Sequence, residues 1–223
     1  MVTEYFKLDS TRVSFKEYWR WKPGLAFFIL AGMKLLRRRF MSRVLVPAVA
    51  SIDVVDPLMQ PPELVAALAA AIKACEAKNR TIEFWYTIPA VGSSVGLGAV
   101  LTSGDRLSVA MAVAAETKAG THRDVVLGLV SRRRSGGFLA TGPGKSLFYP
   151  APEIETLQLR GRSYAELIDA HDSLLSKRRS ELVPCGGARE VIVELQRLQV
   201  RANVARGIYV PASPQDVARA MQA

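Results

Sequence analysis

The first pattern in this chain that could perform chemistry is Gly92-Ser93-Ser94-Val95-Gly96, which matches the G-x-S-x-G sequence of the nucleophile elbow. In an elbow, a strand turns sharply into a helix and exposes the serine above its sheet. Here the residues after the motif alternate like a second strand, so one half of the required context is missing. We keep Ser94 as the nucleophile of an alternative interpretation, a serine hydrolase.

Such a hydrolase would need a histidine base and a carboxylate that orients it. The sequence contains two histidines, His122 and His171. Three aspartates are candidate orienting groups: Asp105, Asp124 and Asp169. No spacing selects a triad among these residues, and the sequence therefore favours a protein that is not an enzyme.

His171 has apolar residues at its helical neighbours, namely Leu167, Ile168, Leu174 and Leu175. This pattern predicts a hydrogen-bonded core histidine. Asp172 follows it, but a metal site would need further histidine or aspartate ligands, and His122 is the only other histidine. We therefore expect neither a metal nor a cofactor.

Gly142-Pro143-Gly144-Lys145-Ser146 resembles the end of a phosphate loop. The full pattern requires a glycine where Leu139 stands, and a helix should begin at the lysine. The chain continues instead as Leu147-Phe148-Tyr149-Pro150. This segment is predicted to be a turn between strands.

The elements that must position these residues begin with four runs of alternating apolar residues, typical of half-buried strands. They lie at Thr81–Ile88, Val95–Thr102, Leu107–Ala114 and Val125–Arg132. Short links that contain glycine suit hairpins. The sequence thus predicts an α+β fold with a five- to six-stranded antiparallel meander over about residues 81–160, packed by flanking helices.

Several signals define those helices. Leu64, Leu68, Ile72 and Cys75 form an apolar stripe before the meander. After it, Ser163 and Glu166 form a capping box, and Ser213 with Pro214 marks the start of a final short helix.

Small residues recur on the predicted back faces of the second and third strands: Gly96, Gly98, Ser108, Ala110, Ala112 and Ala114. Such a face allows either close packing of a helix or a cavity. Close helix packing is the favoured interpretation. In the alternative interpretation, the face lines a pocket for a small apolar ligand. The candidate lining residues are Gly96, Gly98, Ala110 and Ala112.

The formal net charge of +10 is concentrated near the N-terminus. Residues 1–43 contain ten Lys and Arg against three Asp and Glu, which leaves twenty against seventeen in the remainder. A nucleic-acid-binding domain more usually spreads its charge over the folded face that docks. Nucleic acid is therefore not the expected partner.

This basic region predicts a helical N-terminal extension, residues 1–56, ahead of an α+β domain at 57–223. Ser14 and Glu17 are spaced as a capping box, and a second helix follows Pro23. Its longest uncharged run, Pro23–Met33, has 11 residues, whereas a membrane span needs roughly 20.

Two interpretations of this extension differ in their partner. Its apolar stripe could pack on the meander or on a second subunit or other protein, or it could lie on an anionic membrane surface. The candidate membrane-binding residues are Trp19, Trp21, Lys34, Arg37, Arg38, Arg39 and Arg43. Cys75 and Cys185 have no metal-binding spacing, which predicts free thiols and a cytoplasmic protein. The overall expectation is a non-catalytic interaction or scaffold protein, with an anionic membrane surface as one of the two partners considered for its N-terminal helix.

Overall fold

The structure, a computed structural model, describes residues 4–21, 24–36, 45–47, 52–88, 94–117, 123–144 and 148–221. Its helices are α1 (Phe15–Trp21), α2 (Leu25–Leu35), α3 (Pro62–Glu76), α4 (Tyr164–Lys177), α5 (Ala188–Ala205) and α6 (Pro214–Met221). Its strands are β1 (Tyr5–Leu8), β2 (Leu45–Pro47), β3 (Asp53–Val55), β4 (Arg80–Ile88), β5 (Ser94–Ser103), β6 (Val109–Thr117), β7 (Arg123–Arg133), β8 (Phe138–Gly142), β9 (Ile154–Gln158), β10 (Leu182–Val183) and β11 (Tyr209–Pro211). The α+β class is confirmed.

The larger sheet has eight strands in the described residues, in the order β3-β4-β5-β6-β7-β8-β9, with β10 paired to β7. The antiparallel meander from β4 to β8 is confirmed, but the predicted count of five or six strands is too low. No sequence signal predicted β3 and β10, because runs of three and two residues are too short to show alternation. The pairing of β8 with β9 is parallel.

Helices α3 and α4 pack on one face of this sheet. The predicted stripe of α3 is confirmed, since Leu64, Leu68, Ile72 and Cys75 are all buried. They join Leu97, Leu101 and Leu127 of the sheet and Leu167 and Ile168 of α4 in one core cluster. The capping box of Ser163 and Glu166 is present at the start of α4.

A β-bulge in β4 changes which side chains share a face. The alternation in the sequence predicts that Ile82, Phe84 and Tyr86 lie on one face of the sheet. In the structure, however, the pairing register between β4 and β5 shifts between Ile82 and Phe84. As a result, Ile82 pairs with Leu101 on the helix-covered face, whereas Phe84 lies on the opposite face. A bulge inserts one residue without altering the sequence pattern, so alternation alone did not predict it.

The chain forms two compact units. The larger comprises residues 51–144 and 153–195, and the smaller comprises 1–50, 145–152 and 196–223. The smaller unit contains a three-stranded sheet in the order β11-β1-β2. The N-terminal region is thus joined by two later segments, and it opens with a strand as well as helices, unlike the contiguous helical extension expected at 1–56.

Candidate functional site

The most unusual surface of the smaller unit is built by α1 and α2. Ser14 and Glu17 form the predicted capping box at the start of α1, with the Ser14 side chain accepting from the Glu17 N–H and the Glu17 carboxylate accepting from the Ser14 N–H. Gly24 then adopts φ +82 immediately before α2. Such a conformation suits glycine, which has no Cβ to clash.

Helix α2 has no buried residue, although its sequence, Leu-Ala-Phe-Phe-Ile-Leu-Ala-Gly-Met-Lys-Leu, contains a single charge. Large apolar side chains at helical spacing form one exposed face, which we call the outer face of α2: Leu25 (77% exposed), Phe28 (64%), Ile29 (57%), Leu35 (74%) and the following Leu36 (76%). An exposed apolar surface of this kind marks a site of interaction with a protein or a membrane.

The opposite face of α2 is held against the rest of the smaller unit. Phe27 and Leu30 pack on a cluster formed by Leu8, Val13, Tyr18 and Ile208. The Phe27 ring also contacts Trp19 edge to face, with ring centroids 5.1 Å apart. Trp19 itself is 51% exposed, which extends the apolar surface beyond the outer face of α2.

Lys34 is one of the predicted membrane-binding residues, but it lies on this inner face. Its ammonium group donates to the carbonyl oxygens of Thr11, at 2.7 Å, and Val13, at 2.5 Å. Partial burial lowers the pKa of Lys34. Helical spacing explains the difference from the expectation, because Lys34 follows Phe27 and Leu30 by seven and four residues and shares their face. The only charge of α2 is therefore directed away from its outer face.

The side chain of Glu17, a residue of α1, is fully buried. It accepts hydrogen bonds from the Tyr149 N–H and from the Arg206 guanidinium, in addition to those from Ser14. Burial alone would raise the pKa of Glu17, but these hydrogen bonds, led by Arg206, hold it below its ordinary value. Glu17 thus links all three segments of the smaller unit.

The other predicted membrane-binding residues can be placed only in part. Trp21 ends α1. Arg37, Arg38, Arg39 and Arg43 lie outside the described residues. The first three directly follow Leu36 in sequence, and Arg43 comes seven positions after it.

The candidate catalytic residues are not assembled in the described structure. Ser94 is the first residue of β5, where it pairs with Thr117, so the segment after it is a strand and not the helix that an elbow requires. His171 is fully buried, and its two ring nitrogens are hydrogen bonded to the hydroxyls of Ser131 and Thr141. The prediction of a core histidine is confirmed. His122 lies outside the described residues.

The small residues predicted to share a face lie on both faces of the sheet. Ala110 and Ala112 are buried in the cluster under α3. Gly98 is on the opposite side, where a Cβ would stand 2.3 Å from the ring of Tyr86, and Gly96 shares that side. The expectation of one common face was wrong, because cross-strand register places Ala112 beside Ala99 and Gly98 beside Val113.

The phosphate-loop-like segment does not open a helix in the described residues. Gly142 ends β8, residues 145–147 lie outside the described structure, and the chain from Phe148 to Pro150 is irregular. The two cysteines are buried free thiols, and burial raises the pKa of Cys75 to about 11.

The sequence analysis did not single out Arg80, which directly precedes the predicted strand Thr81–Ile88. Arg80 is 2% exposed and pairs with Asp172, 2.5 Å away. The signal was a cation one residue before an alternating apolar run, which does not distinguish a solvent-exposed arginine from a buried one.

In the described part of the chain, no helix has both the length and the apolar character needed to cross a membrane. The same residues contain no group of three or more His, Cys, Asp or Glu able to hold a metal ion. Comparison with known protein families, with curated proteins and with solved structures finds no match.

Proposed function

We propose that this chain is a non-catalytic protein that docks on an anionic membrane surface through the outer face of α2. The observation that carries the proposal is the exposure of four large apolar side chains on a helix whose single charge is turned inward, together with the exposed Leu36 that follows it. Burying such side chains in a lipid interface is favourable by roughly 1.5–3 kcal/mol each.

The length of α2 supports an orientation parallel to the membrane. Eleven residues extend about 16 Å at 1.5 Å per residue, roughly half of a 30 Å hydrocarbon core. A helix of this kind lies in the interface, with aromatic residues near the headgroups. Trp19 and Phe28 are exposed and suit that position.

Charge favours a lipid surface as the partner. Arg37, Arg38, Arg39 and Arg43 follow the helix in sequence, and residues 1–43 carry ten basic against three acidic residues. Each Lys or Arg near an anionic leaflet contributes on the order of 1 kcal/mol. An apolar protein partner would not require this concentration of positive charge.

The alternatives have less support. Side chains of α3 pack over Ala110 and Ala112, which reduces the case for an apolar-ligand pocket there. A hydrolase would need a base near Ser94, and His171 already uses both ring nitrogens in the core.

The test is co-sedimentation of the full chain with phosphatidylcholine vesicles that contain or lack phosphatidylserine. We expect strong binding only to the anionic vesicles, with weakening as salt rises, because charges separated by more than about 8–10 Å are screened. Leu25→Glu should abolish binding. The matched control is Leu58→Glu, which introduces the same charge at an 88% exposed leucine of the larger unit and should bind like the wild type.

Two results would contradict the proposal. Equal loss of binding in both variants would show a charge effect with no role for α2. The second result has two parts: the wild type self-associates without binding vesicles, and Leu25→Glu makes it monomeric. The outer face of α2 would then be a subunit interface.

A further inference from the structure

Helix α1 lies against α2 and runs in the opposite direction. The Trp19 ring contacts Phe27 near the start of α2, whereas the Lys34 ammonium, near the end of α2, lies 5.2 Å from the centroid of the Phe15 ring. Because Phe15 begins α1 and Trp19 is close to its end, the two helices are antiparallel. They form a helical hairpin, which we call the α1–α2 hairpin.

The apolar surface of α2 continues onto α1 through aromatic rings. Phe27 contacts Trp19 of α1 on one side and Phe28 of the outer face of α2 on the other, with ring centroids 5.1 Å and 5.4 Å apart. Phe15 is 41% exposed and Trp19 is 51% exposed, and their spacing of four residues places them on one face of α1. The exposed apolar surface therefore spans both helices of the hairpin.

The exposed charges in the described part of the hairpin are all positive. The only carboxylate in the sequences of α1 and α2 belongs to Glu17, which is fully buried and bonded to Arg206. Lys16 on α1 is exposed, and so is Arg12, three residues before α1 begins. A surface with exposed cations and no exposed carboxylate is complementary to an anionic partner.

Lys16 and Trp19 are neighbours on α1, because they are three residues apart. The ammonium of Lys16 provides three N–H donors, and the indole of Trp19 provides one. Neither side chain has a hydrogen-bond or ion-pair partner among the described residues. Tryptophan favours the boundary between acyl chains and water, where its ring is apolar and its N–H is solvated. The pair thus places cationic and neutral donors at the edge of an apolar surface.

We propose that α1 is a second membrane-binding helix, in which Lys16 and Trp19 contact the phosphate of an anionic phospholipid headgroup. This inference rests on the proposed docking through the outer face of α2 and identifies the part of the surface that meets the headgroups. The outer face of α2 carries no charge and enters the acyl region, whereas Lys16 keeps α1 at the level of the phosphates. The exposed rings of Phe15 and Trp19 favour a lipid over a soluble phosphate, because only the lipid can bury them.

Depth-dependent fluorescence quenching tests the position of α1. The chain contains three tryptophans, so the double variant Trp21→Phe with Trp85→Phe leaves Trp19 as the only emitter. The vesicles contain phosphatidylserine and a phosphatidylcholine brominated either near the headgroup end of its acyl chains or near their terminal methyl groups. We expect a blue shift of Trp19 emission on binding, and stronger quenching by the bromines near the headgroup.

A lysine substitution in the otherwise unaltered full chain tests the headgroup contact. Lys16→Gln should weaken co-sedimentation with the phosphatidylserine vesicles about fivefold, the equivalent of about 1 kcal/mol for one cation near an anionic surface. The matched control is Lys73→Gln, which removes an exposed lysine from α3 of the larger unit and should bind like the wild type.

The results separate this inference from the proposed function. If the wild type sediments with anionic vesicles but Trp19 emission does not change, α1 stays in water and docking through α2 alone remains. Stronger quenching by the bromines near the terminal methyl groups would overturn the headgroup position, and an equal loss in Lys16→Gln and Lys73→Gln would overturn the headgroup contact. A wild type that binds no anionic vesicles would refute both proposals.

Discussion

Glu17 and His171 are both fully buried, but they meet different demands. Glu17 stays ionised because Arg206 and backbone N–H groups compensate for lost hydration. His171 has two neutral hydroxyls as partners, so burial lowers its pKa to about 4 despite the nearby Asp172. The apolar neighbours of His171 revealed its burial in the sequence. Nothing near Glu17 revealed Arg206, which lies 189 positions away.

The lowered pKa of His171 predicts a loss of stability in mild acid. The unfolded chain binds a proton at this residue below about pH 6.5, whereas the folded chain does not until about pH 4. Between these values the unfolded state holds more protons, so the free energy of unfolding should fall as pH drops, by roughly 3 kcal/mol in all. Urea unfolding at a series of pH values measures this.

His171→Gln is the control for that prediction. Glutamine keeps hydrogen-bonding groups near Ser131 and Thr141 but does not titrate, so the slope between pH 6.5 and 4.5 should flatten. Loss of stability below pH 4.5 should persist, because the pKa of Glu17 is depressed and its contribution disappears as it becomes protonated. An unchanged slope in the variant would refute the assignment to His171.

At the scale of elements, alternation and capping predicted most of the larger unit. The strands β4 to β7 and the helices α3 and α4 were recognisable, because each is long enough to display its period. The bulge at β4 and the register of β5 on β6 were not, since both depend on which residues pair across strands. That missing information also explains why Gly98 and Ala112 were assigned to one face.

Close packing of α3 on β6 predicts that Ala112→Leu is destabilising. Ala112 is fully buried in the cluster that includes Leu68 and Ile72, so a larger side chain would overpack it, at a cost of about 1–3 kcal/mol. Thermal or urea unfolding measures the change. Ala69→Leu adds the same atoms on the exposed side of α3 and should be nearly neutral. Equal stability of the two variants would mean that the interface tolerates the extra volume.

At the scale of the molecule, the sequence did not reveal the composition of the smaller unit. Composition separated the basic residues 1–43 from the rest, but contacts join that region to residues 145–152 and 196–223. The strands concerned, β2 and β11, have three residues each. Such short strands give no reliable pattern, and pairing between distant segments leaves no local signal.

This organisation predicts that a variant beginning at Val44 is defective beyond the loss of α2. Deletion would remove β1, which pairs with both β2 and β11, and would leave Arg206 without Glu17. We expect residues 196–223 to be cleaved rapidly in limited proteolysis, while the larger unit from about residue 52 to 144 stays protected. Full protection of the C-terminal segment would show that it holds its structure without the N-terminal strand.

The pairing of β1 with β11 also has a consequence during synthesis. Lys7 contacts Asp216, 209 positions later, so this part of the smaller unit cannot close until residue 216 has left the ribosome. At roughly 5–20 residues per second, that interval is about 10–40 s. Throughout it, Phe27 and Leu30 on the inner face of α2 lack Ile208, one of the residues of the cluster on which they pack. The surface on which the inner face of α2 packs is therefore completed only after residue 208 has emerged from the ribosome.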